Sequence, residues 1–179
     1  MTAGREEQAS IEPLAAEDIE RLVALAREIW YAHYPAIIST AQIEYMLEER
    51  YNAGVVRAEL ERDGVWWDKL TVAGEMAGFA SYFLTGIPGE MKLDKLYVHP
   101  RLQRRGYGGR MIACAGEVAR SRGCSRLVLA VNKNNRGAIS AYLKHGFHIG
   151  DAVVKDIGGG FVMDDYIMVK PVTEAGGGR

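Results

Sequence analysis

The chain has 179 residues, of which 48% are hydrophobic and 25% are charged, and its formal net charge at pH 7 is −1. These totals are typical of one soluble globular domain with a buried core, and they argue against binding of nucleic acid or of an anionic membrane through bulk positive charge. Cys114 and Cys124 are too few for a disulfide framework, and no apolar run reaches the length of a membrane span. We therefore expect a cytoplasmic protein in a reducing compartment.

The first part of the chain is predicted to be mainly helical. Residues 1–10 are small and charged and are expected to form a disordered tail, followed by a short edge strand at residues 11–14. Apolar side chains at helical spacing and a Ser39-x-x-Gln42 capping box predict helices. The three predicted helices span residues 16–33, 40–51 and 55–62.

Strands and helices alternate along the rest of the chain. Alternating or short apolar runs between turn residues predict strands at residues 65–72, 77–85, 93–98, 126–131, 153–155 and 161–170. Two helices are predicted between them, one from Tyr107 to Arg122 and one over residues 136–145. This order predicts one mixed α/β domain over residues 11–171, and the glycine-rich residues 172–179 are expected to form a second disordered tail.

A basic, glycine-rich turn over residues 101–109 joins the strand at residues 93–98 to the helix after it. Its glycines allow a ligand to approach the backbone, and N–H groups at the start of a helix bind phosphate. The turn lacks the Gly-Lys-Ser/Thr of a P-loop, and Met111 stands where the dinucleotide fingerprint needs a glycine. We expect a pyrophosphate site that serves neither a nucleoside triphosphate nor NAD. A tight turn with a solvated basic face is the alternative.

Three motifs follow one another around this turn. The strand ends Leu96-Tyr97-Val98-His99-Pro100, the turn reads Gln103-Arg104-Arg105-Gly106-Tyr107-Gly108, and Asn135 precedes a helix that contains Tyr142. In this order and at this separation the motifs resemble the GNAT superfamily of acyl-CoA N-acyltransferases. The acyl-CoA motif of that family, Gln/Arg-x-x-Gly-x-Gly/Ala, is matched by residues 103–108.

The resemblance implies a fold, a reaction and a cofactor. The fold would have a central twisted sheet, mostly antiparallel, with one pair of strands that splay apart and with flanking helices. The protein would be an N-acetyltransferase that moves an acetyl group from acetyl-CoA to a primary amine by direct attack within a ternary complex. Residues 160–170 further resemble the end of a subgroup that includes polyamine acetyltransferases.

The resemblance also assigns residues to the cofactor. The pyrophosphate of coenzyme A would bind the turn, and the pantetheine arm would pair with the edge of the strand before it. The N–H of Val98 would stabilise the developing oxyanion, and Asn135 would hydrogen-bond the cofactor or simply cap its helix. The assigned residues are Leu96, Tyr97, Val98, Gln103, Arg104, Arg105, Gly106, Tyr107, Gly108, Gly109, Asn135 and Tyr142.

Two catalytic side chains are predicted. Tyr142 matches the family tyrosine that protonates the leaving thiolate, and a core aromatic is the alternative. Asp94 lies four residues before Val98 and so is expected on the same face of the strand, where many relatives have a carboxylate that deprotonates the amine. A solvated carboxylate is the alternative, and His33 and His99 are the other candidate bases. No group of side chains has metal-ligand spacing, so no metal is expected.

The acceptor side is predicted from the first helices, the loop after them and the last hairpin, which bind the acceptor in this family. Trp30, Tyr31, Tyr34 and Asp94 are predicted to contact the acceptor, and aromatic rings beside carboxylates suit a small cationic amine such as a polyamine. An amino-acid or antibiotic amine, a protein N-terminus and a lysine are the alternatives. The contrasting class is a sensor that binds acyl-CoA without turnover, which Tyr142 and Asp94 disfavour. The exposed closing strands are consistent with a homodimer.

Overall fold

The computed structural model describes residues 8–172. Within them the chain forms seven strands, which are β1 (Ala9–Pro13), β2 (Val65–Val72), β3 (Glu75–Leu84), β4 (Glu90–Val98), β5 (Arg126–Asn132), β6 (His148–Gly158) and β7 (Phe161–Pro171). They form one sheet in the order β1-β2-β3-β4-β5-β7-β6. β4 and β5 are parallel and every other neighbouring pair is antiparallel, so the predicted mostly antiparallel sheet is confirmed.

Five α-helices flank the sheet in the described part of the chain, and they are α1 (Ile19–His33), α2 (Thr40–Arg50), α3 (Ala53–Leu60), α4 (Tyr107–Ser121) and α5 (Arg136–Lys144). Ser39 caps α2 as predicted, because its hydroxyl accepts a hydrogen bond of 3.2 Å from the N–H of Gln42. α3 begins two residues earlier than the sequence predicts, because Asn52 caps it by accepting from the N–H of Val55 at 2.9 Å. None of these helices combines the length and the apolar character that crossing a membrane requires.

Some residues of both predicted tails belong to the folded domain. β1 begins at Ala9, which pairs with Val72 of β2, so the prediction of a tail is wrong for Ala9 and Ser10. Val172 is buried, and its N–H donates to the carbonyl of Ser125. The carbonyl of Gln8 accepts from the N–H of Ala73, and the rest of the two predicted tails, residues 1–7 and 173–179, lies outside the described residues.

β6 is much longer than the three residues that the sequence predicts for it. It spans His148–Gly158 and pairs with β7 along its whole length, at the edge of the sheet. Nearly all of its side chains are exposed, so no alternation of apolar and polar residues marks it in the sequence. The tip of the β6–β7 hairpin contacts α2, because the hydroxyl of Tyr45 donates to the carbonyl of Ile157 at 2.8 Å.

A hydrophobic core lies on each face of the sheet. α4 covers one face, where Met111 and Leu127 are buried, and α1, α2 and α3 cover the other, where Trp30 and Phe79 are buried. Removing these apolar surfaces from water is the main term that stabilises the layers. Strand β4 contributes side chains to both cores.

The pairing of β4 with β5 ends early. Only the first three residues of β4 face β5, with Lys92 and Val128 as the last pair. Beyond this pair the strands part, so the predicted splayed pair is confirmed. Residues 93–98 of β4 therefore have no neighbouring strand on that side within residues 8–172.

A β-bulge interrupts β4 next to the point of parting. In the register with β3, Lys95 faces Ser81 and Leu93 faces Tyr82, so Asp94 is an extra residue without a partner in β3. A bulge breaks the alternation of side chains between the two faces of a sheet and re-aims the side chain at the extra residue. Asp94 therefore need not lie on the face that strict alternation would give it.

Candidate active site

The gap between β4 and β5 opens into a cleft of about 1190 Å³. The edge of β4 and the start of α4 border one end, and α1, α2 and the β6–β7 hairpin border the other. Most of the predicted site residues line this cleft, namely Trp30, Tyr34, Asp94, Leu96, Tyr97, Val98, Gln103, Arg104, Gly106, Tyr107, Gly108, Gly109, Asn135 and Tyr142. The fold thus brings together in one cleft residues that are far apart in the sequence.

Two predicted site residues do not line the cleft. The hydroxyl of Tyr31 donates to Glu44 at 3.1 Å on the outer surface of the helices. Tyr34 directly follows α1 and lies four residues after Trp30, so it continues the face of Trp30, whereas Tyr31 is rotated about 100° away from Trp30. Arg105 is exposed and is not among the residues that line the cleft. Tyr31 and Arg105 therefore lie outside the lining of the cleft, and their predicted contacts with the acceptor and the cofactor stay predictions.

The turn before α4 presents open backbone to the cleft. Arg104 and Gly106 have φ angles of 62° and 84°, in the left-handed region that helps to turn successive N–H groups toward one point. A Cβ built at Gly106 or Gly108 would meet no atom of residues 8–172 within 4 Å, apart from its chain neighbours and the backbone of its own helix, so a ligand has room against the backbone. The N–H groups of the first helical turn lack partners within the helix and lie at the positive end of its dipole. The turn has the geometry of an anion site.

Gly109 differs from the other two glycines of the turn. A Cβ at this position would clash with the ring of His145, which directly follows α5. The absence of a side chain at Gly109 therefore allows α4 and the end of α5 to approach each other. Gly109 thus contributes to helix packing, a role that the sequence analysis did not separate from ligand approach, and it also lines the cleft.

The edge of β4 faces the cleft with its backbone. The N–H of His99 donates to the carbonyl of Ala77 in the direction of β3. Because successive residues of a strand point their backbone groups to opposite sides, the N–H groups of Val98 and Leu96 face the gap. The side chain of Gln103 donates to the carbonyl of Val98 at 3.2 Å, so one acceptor of this edge is already satisfied.

Asn135 is both a helix cap and a bridge across the cleft. Its Oδ1 accepts from the N–H of Ala138 at 3.4 Å, and it lies 3.1 Å from Nε2 of His33 at the end of α1. The residue is buried, so both contacts are shielded from water. The predicted cap is thus present. The sequence analysis missed the contact with His33, because no local pattern relates residues so far apart.

Three tyrosines meet near the middle of the cleft. The hydroxyls of Tyr34 and Tyr97 are 2.9 Å apart, and burial raises the pKa of both. Tyr142 packs its ring against Phe147 with 5.5 Å between the ring centres, and burial raises its pKa to about 12. All three phenols are therefore protonated at neutral pH and can donate hydrogen bonds.

Asp94 lies within a group of cations. Its Oδ2 accepts from Arg50 at 2.9 Å and from Lys95 at 2.7 Å, and Lys92 lies 3.6 Å from Oδ1. Arg50 belongs to the helices on one side of the sheet, whereas Leu96 and Val98 pack against the core on the other side. The prediction that Asp94 shares their face is therefore wrong, because the bulge redirects its side chain.

The cations also change the acidity of Asp94. Burial would raise the pKa of its carboxyl, but Arg50 and the two lysines outweigh this effect and hold the pKa well below its usual range. A carboxylate with so low a pKa is a weak proton acceptor, which disfavours the predicted role of Asp94 as the base. The sequence analysis missed both Arg50 and Lys95. The adjacent Asp94 and Lys95 between apolar residues of the strand were the available signal for a buried ion pair.

The parted strands and the open helix start define the class of protein. They are the features of the acyl-CoA N-acyltransferase fold that the motifs predict, and residues 19–147 match the acetyltransferase (GNAT) family. The chain belongs to this family, so the predicted family, the GNAT fold and the prediction of an acyltransferase enzyme are confirmed. Within residues 8–172, no group of three or more His, Cys, Asp or Glu side chains is arranged to hold a metal ion.

Several known proteins are similar to most of the chain. A spermidine N(1)-acetyltransferase of Thermoplasma acidophilum is 28% identical over 160 residues, which cover 86% of this chain and 94% of the relative. The crystal structure of PaiA N-acetyltransferase from Thermoplasma acidophilum in complex with coenzyme A superposes with a TM-score of 0.80 at 26% identity, covering 92% and 99% of the two chains. The ribosomal-protein-S18-alanine N-acetyltransferase of Escherichia coli has a TM-score of 0.69 at 20% identity over 96% and 99% of the chains, which shows the fold alone.

Proposed function

We propose that this enzyme transfers the acetyl group of acetyl-CoA to a small cationic amine such as a polyamine, by direct attack while both substrates occupy the cleft. The observation that carries the proposal is the two-ended cleft, which has an open helix start at one end and acidic and aromatic side chains at the other. A helix start with exposed N–H groups suits the anionic cofactor. Carboxylates and aromatic rings suit a cation.

The turn before α4 is the proposed site of the pyrophosphate. The N–H groups around Gly106 and Gly108 would donate to its oxygens, and the side chain of Arg104 would add positive charge. The space in front of both glycines fits this role, because a phosphate oxygen must come within about 3 Å of an amide nitrogen. The coenzyme A in the crystal structure of the PaiA N-acetyltransferase supports the same kind of ligand here.

The edge of β4 is the proposed site of the pantetheine arm. The amides of the arm would pair with the backbone of Leu96 and Val98, as an added strand does. The N–H of Val98 would donate to the thioester oxygen as negative charge develops there. Asn135 would contact the arm through its side-chain nitrogen, because its oxygen is already shared between the helix cap and His33.

Tyr142 is the proposed acid. With a pKa of about 12 it keeps its proton at neutral pH and can give that proton to the departing thiolate. In this step the amine nitrogen forms a bond to the acetyl carbon, the carbon–sulfur bond breaks, and the sulfur takes the proton of the phenol. The nitrogen, positively charged after its attack, loses one proton to the phenolate of Tyr142, which gives the neutral amide and restores the phenol.

The acceptor is proposed to lie between α1, α2 and the hairpin. Trp30 and Tyr34 offer aromatic surface there, and Glu49 offers negative charge. We propose that Asp94 orders Arg50 at the wall of the cleft, since its low pKa makes it a weak base. The spermidine N(1)-acetyltransferase that is 28% identical to this chain supports a polyamine as the acceptor.

The test measures the release of free thiol from acetyl-CoA with a panel of amines. The panel contains spermidine, a diamine, a monoamine, an amino acid, and peptides with either a free N-terminus or a lysine side chain. We expect the highest kcat/KM for amines with two or more ammonium groups. Reactions without an amine measure background hydrolysis.

The other outcomes separate the alternatives. A peptide as the best acceptor would indicate a protein N-terminal or lysine acetyltransferase. Preference for the amino acid would replace the polyamine with that class of amine. If acetyl-CoA binds tightly but releases no thiol with any amine of the panel, the protein is a sensor.

A further inference from the structure

A further carboxylate lines the cleft, on strand β7. Asp165 lies on β7, where it faces Asn132 at the end of β5. Met163, two residues earlier, packs against the core formed by α1, α2 and α3, so alternation puts Asp165 on the same face of β7. This is the side of the sheet that carries the aromatic wall of the cleft.

The carboxylate of Asp165 is buried and incompletely paired. The residue is only 8% exposed, and its Oδ1 is buried without a hydrogen-bond partner among the described residues. Burying a charged oxygen without a partner is costly, and such groups usually have a functional explanation. Asp94 presents the opposite case, because both of its oxygens are engaged by cations.

We propose that Asp165 binds the ammonium group of the acceptor amine in the cleft and accepts the proton that the nitrogen must lose before it attacks. This inference rests on the proposed function and deepens it by naming the residue that receives the cation. A buried carboxylate with an unsatisfied oxygen fits an ammonium group, which brings both a hydrogen-bond donor and a compensating charge.

The proposed step is a proton transfer followed by acyl transfer. The ammonium nitrogen gives one proton to Asp165, which becomes a neutral carboxylic acid, and the nitrogen regains its lone pair. That lone pair forms the bond to the acetyl carbon, the carbon–sulfur bond breaks, and the sulfur takes the proton of Tyr142. The nitrogen, positively charged after its attack, then gives a second proton to the phenolate of Tyr142, which leaves a neutral amide. Asp165 returns its proton to solvent after the acetylated amine leaves.

The charged groups around Asp165 shift the pKa of its carboxyl in opposite directions. Burial raises the pKa of its carboxyl and Asp164 adds to the rise, whereas Lys92, Arg50 and Lys133 lower it. The net shift is upward, which makes Asp165 a better proton acceptor than Asp94. Asp94 pairs with both Lys92 and Arg50 and offsets part of their positive charge.

The test compares Asp165→Asn with Asp164→Asn in the full chain. Both changes remove one negative charge from adjacent positions of β7, but the side chain of Asp164 is 56% exposed and pairs with Lys133. With the amine that the wild type acetylates best, we expect Asp165→Asn to lower kcat/KM by about 100-fold or more, without a change in the KM for acetyl-CoA. Asp164→Asn should stay close to the wild type.

The pH dependence separates proton transfer from a structural role. In Asp165→Asn only the amine that is already neutral in solution can react, so the loss should shrink as the pH rises toward the amine pKa of about 10. Thermal unfolding should occur at the same temperature or higher, because the change removes an uncompensated buried charge. A loss that equals that of Asp164→Asn, or that does not change with pH, overturns the inference. If Asp165→Asn does not fold, Asp165→Ser is measured against the same outcomes.

A binding measurement keeps this test separate from the test of the proposed function. Spermidine is titrated calorimetrically into the wild type and both variants, each saturated with coenzyme A. We expect at least about tenfold weaker binding in Asp165→Asn alone. If the wild type releases no thiol with any amine, the proposed function fails, and this comparison still decides about Asp165. Equal binding by all three proteins, or no binding by any, overturns the inference.

Discussion

The two ends of the cleft are built in different ways. The end proposed for the cofactor comes mainly from one continuous stretch, residues 96–109, with Asn135 added from a distant segment, and it offers mainly backbone groups at a strand edge and a helix start. The end proposed for the acceptor is assembled from side chains on α1, α2, β4 and β7, which are far apart in the sequence. Backbone groups persist through most substitutions, whereas each side chain can change independently. One end can therefore keep its ligand while the other changes its specificity.

Proteins with the same fold illustrate this difference. One protein similar to this chain is named for spermidine and another for the alanine of a ribosomal protein. A fold alone does not determine a substrate, which depends on the side chains of the site. The acceptor end should therefore be the part of this enzyme where single substitutions have specific effects.

The largest effect on stability is expected at Asp94. Asp94→Asn leaves the buried Lys95 and the partly buried Arg50 without their shared anion, and breaking a buried ion pair costs about 3 kcal/mol. The free energy of unfolding of the variant, measured with urea at pH 7, should be lower by about this amount. Such a result would show that the acceptor end depends on paired charges.

The difference in stability between the wild type and Asp94→Asn should also depend on pH, and the direction of this dependence follows from the pKa of Asp94. The folded-state pKa of Asp94 lies below its unfolded value of about 3.9, so its contribution is complete above about pH 5. This contribution of Asp94 to stability is lost as the pH falls from the unfolded-state pKa toward the lower folded-state pKa. The difference between the wild type and Asp94→Asn should therefore shrink in acid.

Asp164→Asn, which breaks an exposed pair with Lys133, is the control and should cost less than about 1 kcal/mol. Equal losses in both variants would contradict the prediction.

The second largest effect is expected on kcat, at Tyr142, where the two ends of the cleft meet. Tyr142→Phe removes the proposed acid, and we expect kcat to fall by about 10- to 100-fold with little change in the dissociation constant of acetyl-CoA. The effect should stay near the low end of this range because a thiol with a pKa of about 8.5 leaves with only modest help. Steady-state kinetics and equilibrium titration of acetyl-CoA measure the two quantities.

A matched change tests whether the hydroxyl itself matters. Tyr166→Phe also removes one phenolic oxygen, from a residue of β7 that does not line the cleft, and it should leave kcat close to that of the wild type. If kcat is unchanged in Tyr142→Phe, Tyr142 is not the acid. If the affinity for acetyl-CoA falls together with kcat, its main role is to support the cofactor end.

The same division explains what the sequence could predict. The capped helix after Ser39, the strand before His99 and the glycine-rich turn are set by neighbouring residues, so local patterns revealed them. The bulge at Asp94 could not be predicted in this way, because it depends on the register between β4 and β3. Contacts between distant segments, such as His33 with Asn135, leave no trace in a local pattern. Most of the cofactor end was therefore predictable, whereas the charge pairing of the acceptor end was not.

The smallest of the three effects is expected at the cofactor end, at Gly108. Gly108→Val places a branched side chain in the open space in front of the first turn of α4, where the pyrophosphate is proposed to bind. We expect the affinity for coenzyme A to fall by about tenfold or more, equivalent to about 1.4 kcal/mol, because the side chain keeps the phosphate away from the N–H groups. Isothermal titration of coenzyme A measures this change.

Ala113→Val is the control for the cost of a branched residue in α4. Ala113 is exposed on the same helix and does not line the cleft, so this variant should bind coenzyme A like the wild type. Unfolding temperatures of both variants show whether the helix itself has been weakened, since the β-branched valine is a poorer helix former than alanine. An unchanged dissociation constant in Gly108→Val would mean that the phosphate does not lie against this turn. A loss at Gly108 alone would instead mean that the cofactor end depends on space at the backbone, in contrast to the charges on which the acceptor end depends.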